Sequence, residues 1–510
     1  MKVFLMHPDR DFDLQRKIPW NQETLTKDLA LNTLFNAMAQ GDDFLSEVAK
    51  KAFFSSLSDP GEIRYRQDIL KDCLNKPSVV KEIYDISLQS IESRRSLWWF
   101  GNFGRYPSST LSNSRKMLQV YVGCLKELKH IADEHAGDFR SEGFRTFFAM
   151  IRRELDDDYI IGVQDHLRRL EFRDGIPISA ELGPGNEGDN YVLLKPKDIE
   201  RNWIKRIFAM KTDKFTYTLD ERDESGARAL SELRDRGINL VANALAQSAS
   251  HVDHFFGLLR TELAFYIGCL NLHDDLDRIG APVVFPTPLD RVRGHRMSFR
   301  ELYDVCLALT MGRKVVGNDV DADGKNPVII TGANQGGKST FLRSVGLAQL
   351  MMQCGMFVPA GAFCSTVCDG VFTHYKREED ASMKSGKLDE ELRRMSDIVE
   401  KVKPNSMILF NESLVATNER EGSEIAGQIV RALSEKGIRI LFVTHMYELT
   451  RSLYATQKDG TLFLRAGRQV NGERTFKITE GKPLQTSYGE DLYKEIFAAS
   501  AQTIAVENGG

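Results

Sequence analysis

Apolar residues recur at three- and four-residue spacing through most of the first half of the chain, the pattern of one-sided helices. TLFNAMAQGDDFLSEVAKKAFF and PSVVKEIYDISLQSIESRRSLWWF both show it within 28–100. Between them, SSLSDPGEIRYRQDIL supplies a loop, a proline and a fresh helix start. Helical pattern continues through 111–173. The character changes at 174–200, where DGIPISAELGPGNEGDNYVLLKP sets Gly and Pro around two β-like runs and predicts a small strand insertion. From about 224 the helical period runs almost unbroken for around fifty residues, roughly 75 Å of helix and the length of a lever. After GAPVVFPTP at 280–288, the runs PVIITG, MILFNE and IRILFVTH alternate with helical stretches, which predicts a parallel sheet flanked by helices. The chain therefore reads as multidomain. An all-α core region covers 1–110, lever helices with a strand insertion near 174–220 cover 111–280, and an α/β domain covers 281–510.

Composition narrows this only a little. A length of 510 residues suits two or three cores, and 42% hydrophobic with 27% charged residues is ordinary for globular proteins. A net charge of -4 confines any nucleic-acid contact to a local basic surface. Seven cysteines, mostly dispersed, suit a reducing compartment. Cys364 and Cys368 lie near Cys354, but no second ligand pair follows at zinc spacing, which favours buried thiols over a metal site. The N-terminal MKVFLMHPDRDFD lacks the apolar core of a signal peptide. The apolar stretch FFGLLRTELAFYIGCLNL at 255–272 carries Arg260 and Glu262, so it reads as a buried helix with no membrane role. The cytoplasm is the expected location.

The chemistry concentrates in TGANQGGKST at 331–340, which satisfies G-x-x-x-x-G-K-[ST] through Gly332, Gly337, Lys338 and Ser339. The strand VIIT precedes it and the helix TFLRSVGLAQLMMQ follows, ending at Cys354-Gly355. Glycines let backbone N–H groups turn toward phosphate oxygens, and the helix N-terminus adds a favourable dipole. The whole run Gly332, Ala333, Asn334, Gln335, Gly336, Gly337, Lys338, Ser339, Thr340 is the predicted ATP cradle. Lys338 would neutralise the β- and γ-phosphates, and Ser339 would ligate Mg2+. Downstream, MILFNE ends a strand in Asn411 and Glu412 where ATP-hydrolysing folds often carry two acidic residues. Glu412 suits activation of the attacking water, and Thr444-His445 ends a second strand where it could sense the γ-phosphate.

These residues resemble the MutS family of DNA mismatch-repair ATPases. ITGANQGGKSTFLRSVGLAQLMMQCGMFVPA is similar to that family's G-P-N-M-G-G-K-S-T loop, helix and V-P-A turn. NESLVATNEREGSEIA follows its D-E-I-G-R-G-T-S segment, with Thr417, Asn418, Glu421 and Gly422 in frame. VTHMYELT and PLQTSYGEDL (483–492) are similar to its T-H-y-x-E-L and S-Y-G elements, and GNDVDADGKNPVIITG to the lead-in that packs on adenine. The likeness is strong over 300–495 and looser through the helical half. It implies an ABC-like α/β ATPase of MutS type, using ATP and Mg2+, working as a homodimer that clamps mismatched or otherwise distorted DNA. It also implies catalytic roles for Lys338 and Glu412, a γ-phosphate switch in His445, and a water-mediated Mg2+ contact from Asn411. ASMKSGKLDEEL (381–392) occupies the place of the serine-rich signature, so Ser385 and Gly386 would reach the partner's ATP.

Several departures shape the expectation. The chain begins close to the core helices and leaves no room for the family's mismatch-reading and connector domains; GDDFLSE (41–47) has Phe-x-x-Glu spacing, not that of the family's wedge. Asn411 keeps a carbonyl acceptor for the metal's water shell but gives up a negative charge, which predicts weaker Mg2+ affinity with hydrolysis preserved. The insertion at 174–200 fits a reduced DNA clamp, with Arg201, Lys205 and Arg206 beside it as weaker DNA-contact candidates. Arg94, Arg95, Arg105 and Arg115 with Trp98, Trp99 and Phe103 form a second basic-aromatic stretch, for which a structural role weighs more. Two alternatives stay open. The same ATPase could act on branched recombination intermediates or RNA, or the chain could be a nucleotide-gated scaffold with negligible turnover.

Overall fold

Aspartate caps set three of the helix starts described in the first half, at Asp42, Asp59 and Asp156. A computed structural model describes residues 1–100, 106–173, 175–194, 218–220, 222–291, 294–377, 386–457, 459–468 and 474–483. After α1 (Gln22–Asp28) and α2 (Leu31–Ala39), helix α3 (Asp43–Phe54) begins where Asp42 accepts from the Phe44 and Leu45 amides, so GDDFLSE is a helix start. Helix α4 (Pro60–Asn75) begins with Pro60 just inside an Asp59 cap. Then come α5 (Pro77–Phe100), α6 (Pro107–His135), α7 (Glu142–Glu154) and α8 (Asp157–Arg169). The predicted insertion is an antiparallel hairpin, β1 (Ile178–Leu182) with β2 (Gly188–Leu193). The lever pattern forms α9 (Glu224–Arg278), a single helix of 55 residues. By length and composition α9 could cross a membrane, but its Phe256, Leu259, Leu263 and Phe265 are fully buried in the protein.

The remainder supplies β3 (Thr287–Leu289), β4 (Met297–Leu302), α10 (Val305–Met311), β5 (Asn318–Asp321), β6 (Val328–Gly332), α11 (Lys338–Gln353), β7 (Ala362–Thr366) and β8 (Val371–Tyr375). It continues with α12 (Lys387–Lys401), β9 (Met407–Asn411), α13 (Glu419–Glu435), β10 (Arg439–Val443), α14 (Tyr447–Thr456), β11 (Leu462–Arg468) and β12 (Arg474–Glu480). Six strands pair in the order β12-β11-β6-β10-β9-β8, all parallel except the antiparallel edge strand β12. Strands β6 and β10 are buried along their whole length, which explains why their sequences are continuous apolar runs rather than alternating ones. A second sheet, β3-β7-β4-β5, was not anticipated, because its short strands carry no clear alternation.

Two compact units divide the chain differently from the three linear spans. One holds 1–3, 78–139 and 144–262; the other holds 4–77, 140–143 and 263–510. In the first, Ile238 and Ala242 of α9 pack with Leu111, Phe172 and Leu193, and Asp253 takes hydrogen bonds from Arg94 (2.6 Å) and Tyr121 (2.8 Å). In the second, α1 to α4 pack on the α/β core. Arg66 of α4, 1% exposed, donates to the Cys354 carbonyl at the end of α11 and to the Met6 carbonyl. Leu57 and Gln353 exchange hydrogen bonds of 2.8 and 3.0 Å. Side-chain donors reaching backbone carbonyls far away in sequence leave no trace in hydrophobic period, so this division could not be read from it.

Candidate nucleotide-binding site

Parallel pairing brings the motif-bearing strand ends together. Val443 lies in register with Asn411 and with Ile330 on its two neighbours. Just beyond, the Glu412 N–H donates to the Val443 carbonyl (2.9 Å) and the Thr444 N–H to the Ile330 carbonyl (3.1 Å). Residues 332, 412 and 445 are thereby gathered at the carboxyl end of one sheet, the usual ligand edge of parallel α/β folds.

The loop 332–337 leaves β6 with Gly332 at φ +110° and enters α11 through Gly337 at φ +87°. A Cβ on Gly336 would lie 2.7 Å from the Ala466 Cβ and 2.9 Å from the Ala333 carbonyl oxygen, so the loop can pass β11 only as glycine. Lys338 is 5% exposed, and its ammonium donates to the Gly332 (3.0 Å) and Ala333 (2.8 Å) carbonyls. Burial pulls its pKa down to about 8, with Arg474 pushing the same way and Glu412 opposing. Ser339 donates its hydroxyl to Asn411 Oδ1 at 3.0 Å. This pair offers two oxygen donors at the start of α11, a set that suits Mg2+, a hard ion that keeps most of its waters.

Glu412 stands 3.2 Å from His445 Nε2. That hydrogen bond, with Lys376 and Lys338 nearby, holds its carboxyl below the ordinary range. Its backbone is left-handed at φ +51°, and Leu414 follows at +62°. For residues bearing side chains this conformation is uncommon, and here it bends the chain away from the strand. Asn418 then caps α13 by accepting from the Glu421 N–H, and Glu421 accepts from the Thr417 hydroxyl. The Thr-Asn-x-x-Glu frame is thus a helix-start device that holds the turn after Glu412.

These groups open on a cavity of about 940 Å³, lined by 334–341, Glu412, Val316, Gly317, Asn318, Met311 and Phe476. Its size suits a nucleotide, with an apolar wall for a base and a polar floor for phosphates. Gly317 and Asn318 belong to the lead-in expected to pack on adenine, and Val316 immediately precedes it. The β12 contribution was missed: Phe476 and Lys477 line the cavity, and Arg474 Nε donates to the Asn334 carbonyl at 3.2 Å. Only the charge and the aromatic in ERTFK could have signalled it.

Other predicted positions fall elsewhere. Gly386 stands at the N-terminus of α12, while Ser385, Arg201, Lys205 and Arg206 lie outside the described residues. Arg94 and Arg115 are engaged in ion pairs with Asp253 (2.6 Å) and Glu171 (2.7 Å), in keeping with the structural role weighed for that stretch. Cys354 and Cys368 are buried, and burial raises both thiol pKa values.

Residues 58–279 match the family described as MutS2 N-terminal domain, and residues 328–498 match MutS domain V. The DNA mismatch repair protein MutS of Chloroflexus aurantiacus is 27% identical over 387 residues, covering 64% of this chain and 40% of that protein. The protein of the same name from Thermotoga maritima is 35% identical over 183 residues, 35% of this chain and 23% of its own length. That from Parabacteroides distasonis is 28% identical over 323 residues, 59% and 36%. The matched region thus spans less than half the length of each of these relatives.

Proposed function

Because this chain belongs to the MutS family of ATPases, we propose that it is a MutS2-type enzyme in which ATP binding and hydrolysis drive a homodimeric clamp on distorted or branched DNA. The observation that carries the ATP part is the meeting of three strand ends, at Gly332, Glu412 and His445, beside one nucleotide-sized cavity. The match of 58–279 to the MutS2 N-terminal domain supports the choice of MutS2 type over mismatch scanning.

In this reading the triphosphate lies along the amides of 334–340 at the positive end of α11. Lys338 exchanges the Gly332 and Ala333 carbonyls for β- and γ-phosphate oxygens. Ser339 and Asn411 would hold Mg2+, and the ion would supply neutralisation of phosphate charge. Glu412 accepts the proton of the attacking water. His445 fixes the Glu412 carboxylate and reports the γ-phosphate. Ser385 and Gly386, ahead of α12, complete the partner's site. Asn411 favours a second reading, a nucleotide-gated scaffold that binds ATP and scarcely turns it over.

Steady-state ATPase of the wild type and Glu412→Gln, with homoduplex, mismatched and four-way DNA, tests these readings. The expected result is turnover abolished in the variant, and DNA binding that favours four-way junctions and weakens with salt. A wild-type rate no higher than the variant's leaves the scaffold reading; no DNA binding at low salt removes the clamp.

A further inference from the structure

The phosphate end of the cavity has an unusual balance of charge. Position 411 contributes a neutral amide, and its Oδ1 is already occupied by the Ser339 hydroxyl at 3.0 Å. The remaining acidic group, Glu412, is held by His445 at 3.2 Å. Against this stand Lys338, buried in the loop, and Arg474, whose Nε reaches the Asn334 carbonyl at 3.2 Å. Arg474 and Phe476 both lie on β12, where a bulge opposite Gly467 and the left-handed backbone of Phe476 (φ +56°) interrupt the regular alternation of the strand. Phe476 runs along the loop as well, 3.6 Å from where a Cβ on Gly337 would lie. Strand β12 therefore presents an arginine and an aromatic ring together to the phosphate loop, and its guanidinium has a fork geometry suited to phosphate oxygens.

We infer that Arg474 is a second phosphate-directed cation of this site, and that together with Asn411 it lets the loop hold a nucleoside triphosphate without a divalent metal. The inference rests on the ATP-site reading and refines it. An acidic residue at 411 would face the triphosphate beside Glu412, and that repulsion is relieved by a divalent ion. With an amide there, the repulsion is reduced at its source, and Lys338 and Arg474 both stand at the loop that would receive the phosphates. Arg474 acts on the bound nucleotide and takes no part in proton transfer. Mg2+ still fits the Ser339 and Asn411 oxygens, but it enters with the nucleotide as a requirement of turnover rather than of binding.

The test is equilibrium binding of ATP by calorimetry, once with excess Mg2+ and once with EDTA. It compares the full-length wild type, Arg474→Gln, Arg474→Lys and Asn411→Asp. Wild-type affinity is expected to fall less than about fivefold when Mg2+ is removed. Asn411→Asp should lose more than about tenfold in EDTA and little in Mg2+. Arg474→Gln should lose about tenfold in EDTA, with partial recovery in Arg474→Lys. A larger wild-type loss than fivefold, or Arg474→Gln binding in EDTA as the wild type does, overturns the inference. Should Arg474→Gln fail to fold, the wild type and Asn411→Asp decide the matter alone. Binding seen only with Mg2+ defeats this inference and spares the ATP site, whereas no binding in either condition defeats the ATP-site reading itself.

Discussion

Raising the pH from 7.5 to 9 should weaken ATP binding through Lys338 alone. Its ammonium is buried on two loop carbonyls, and its pKa lies at about 8 in the nucleotide-free protein. Roughly three quarters of the molecules then carry the charge at the lower pH and about one tenth at the higher. Bound phosphates stabilise the charged form, so binding at pH 9 must first recover a proton. The cost is the ratio of those fractions, about eightfold in Kd or ~1.3 kcal/mol. Calorimetry in buffers of different ionisation enthalpy should show close to one proton taken up per ATP at pH 9. Lys338→Arg, which stays charged, should bind with no such dependence, whatever its absolute affinity. A flat wild-type Kd across this range, with no proton uptake, would refute the burial argument. Folding stability has the opposite sign. Between pH 8 and the ordinary lysine value of 10.5, the unfolded chain holds more protons than the folded one, so this lysine's burial cost eases as pH rises.

Four further outcomes follow from the same geometry. Glu412→Gln should lower turnover by roughly 10²–10⁴ with ATP affinity nearly unchanged, measured by phosphate release against calorimetry; an unaltered rate places the base elsewhere. Asn411→Asp should reduce the Mg2+ concentration needed for half-maximal turnover, and no change would put Asn411 outside the metal's water shell. Gly336→Ala should cost more than about tenfold in ATP affinity while circular dichroism stays native, because the methyl meets the Ala466 side chain and the Ala333 carbonyl. Arg66→Met strips the donors from the Met6 and Cys354 carbonyls and should lower stability by roughly 2–4 kcal/mol in urea unfolding. A midpoint unchanged by that substitution would mean that water or a shifted neighbour satisfies both carbonyls.

MILFNE illustrates how far local pattern reaches. Its apolar run identifies a strand, its position after a phosphate-loop pattern points to the candidate site, and Asn411 is where it departs from the two acidic residues expected there. What it does not contain is the partner of each polar atom. The Ser339 hydroxyl on Asn411 and the His445 ring on Glu412 depend on β9 lying beside β10, with β6 on the other side. The GDDFLSE stretch shows the complementary case. Spacing alone ruled out a wedge motif, and the structure adds only that Asp42 caps α3.

The sequence by itself determined the helical and α/β halves, the long helix α9 and the phosphate-loop pattern, and it put forward Lys338, Ser339, Glu412 and His445 as candidate site residues. Those features rest on chemistry within a few residues: hydrophobic period, glycine where backbone must bend, and a strand followed directly by a helix. Tertiary structure alone decided that α1 to α4 join the ATPase core, that Lys338 rests on its own loop, and that Arg474 reaches Asn334 across 140 residues. Such contacts come from strand order and register. One charged residue on an edge strand looks like any other solvated position until the sheet sets it against the loop.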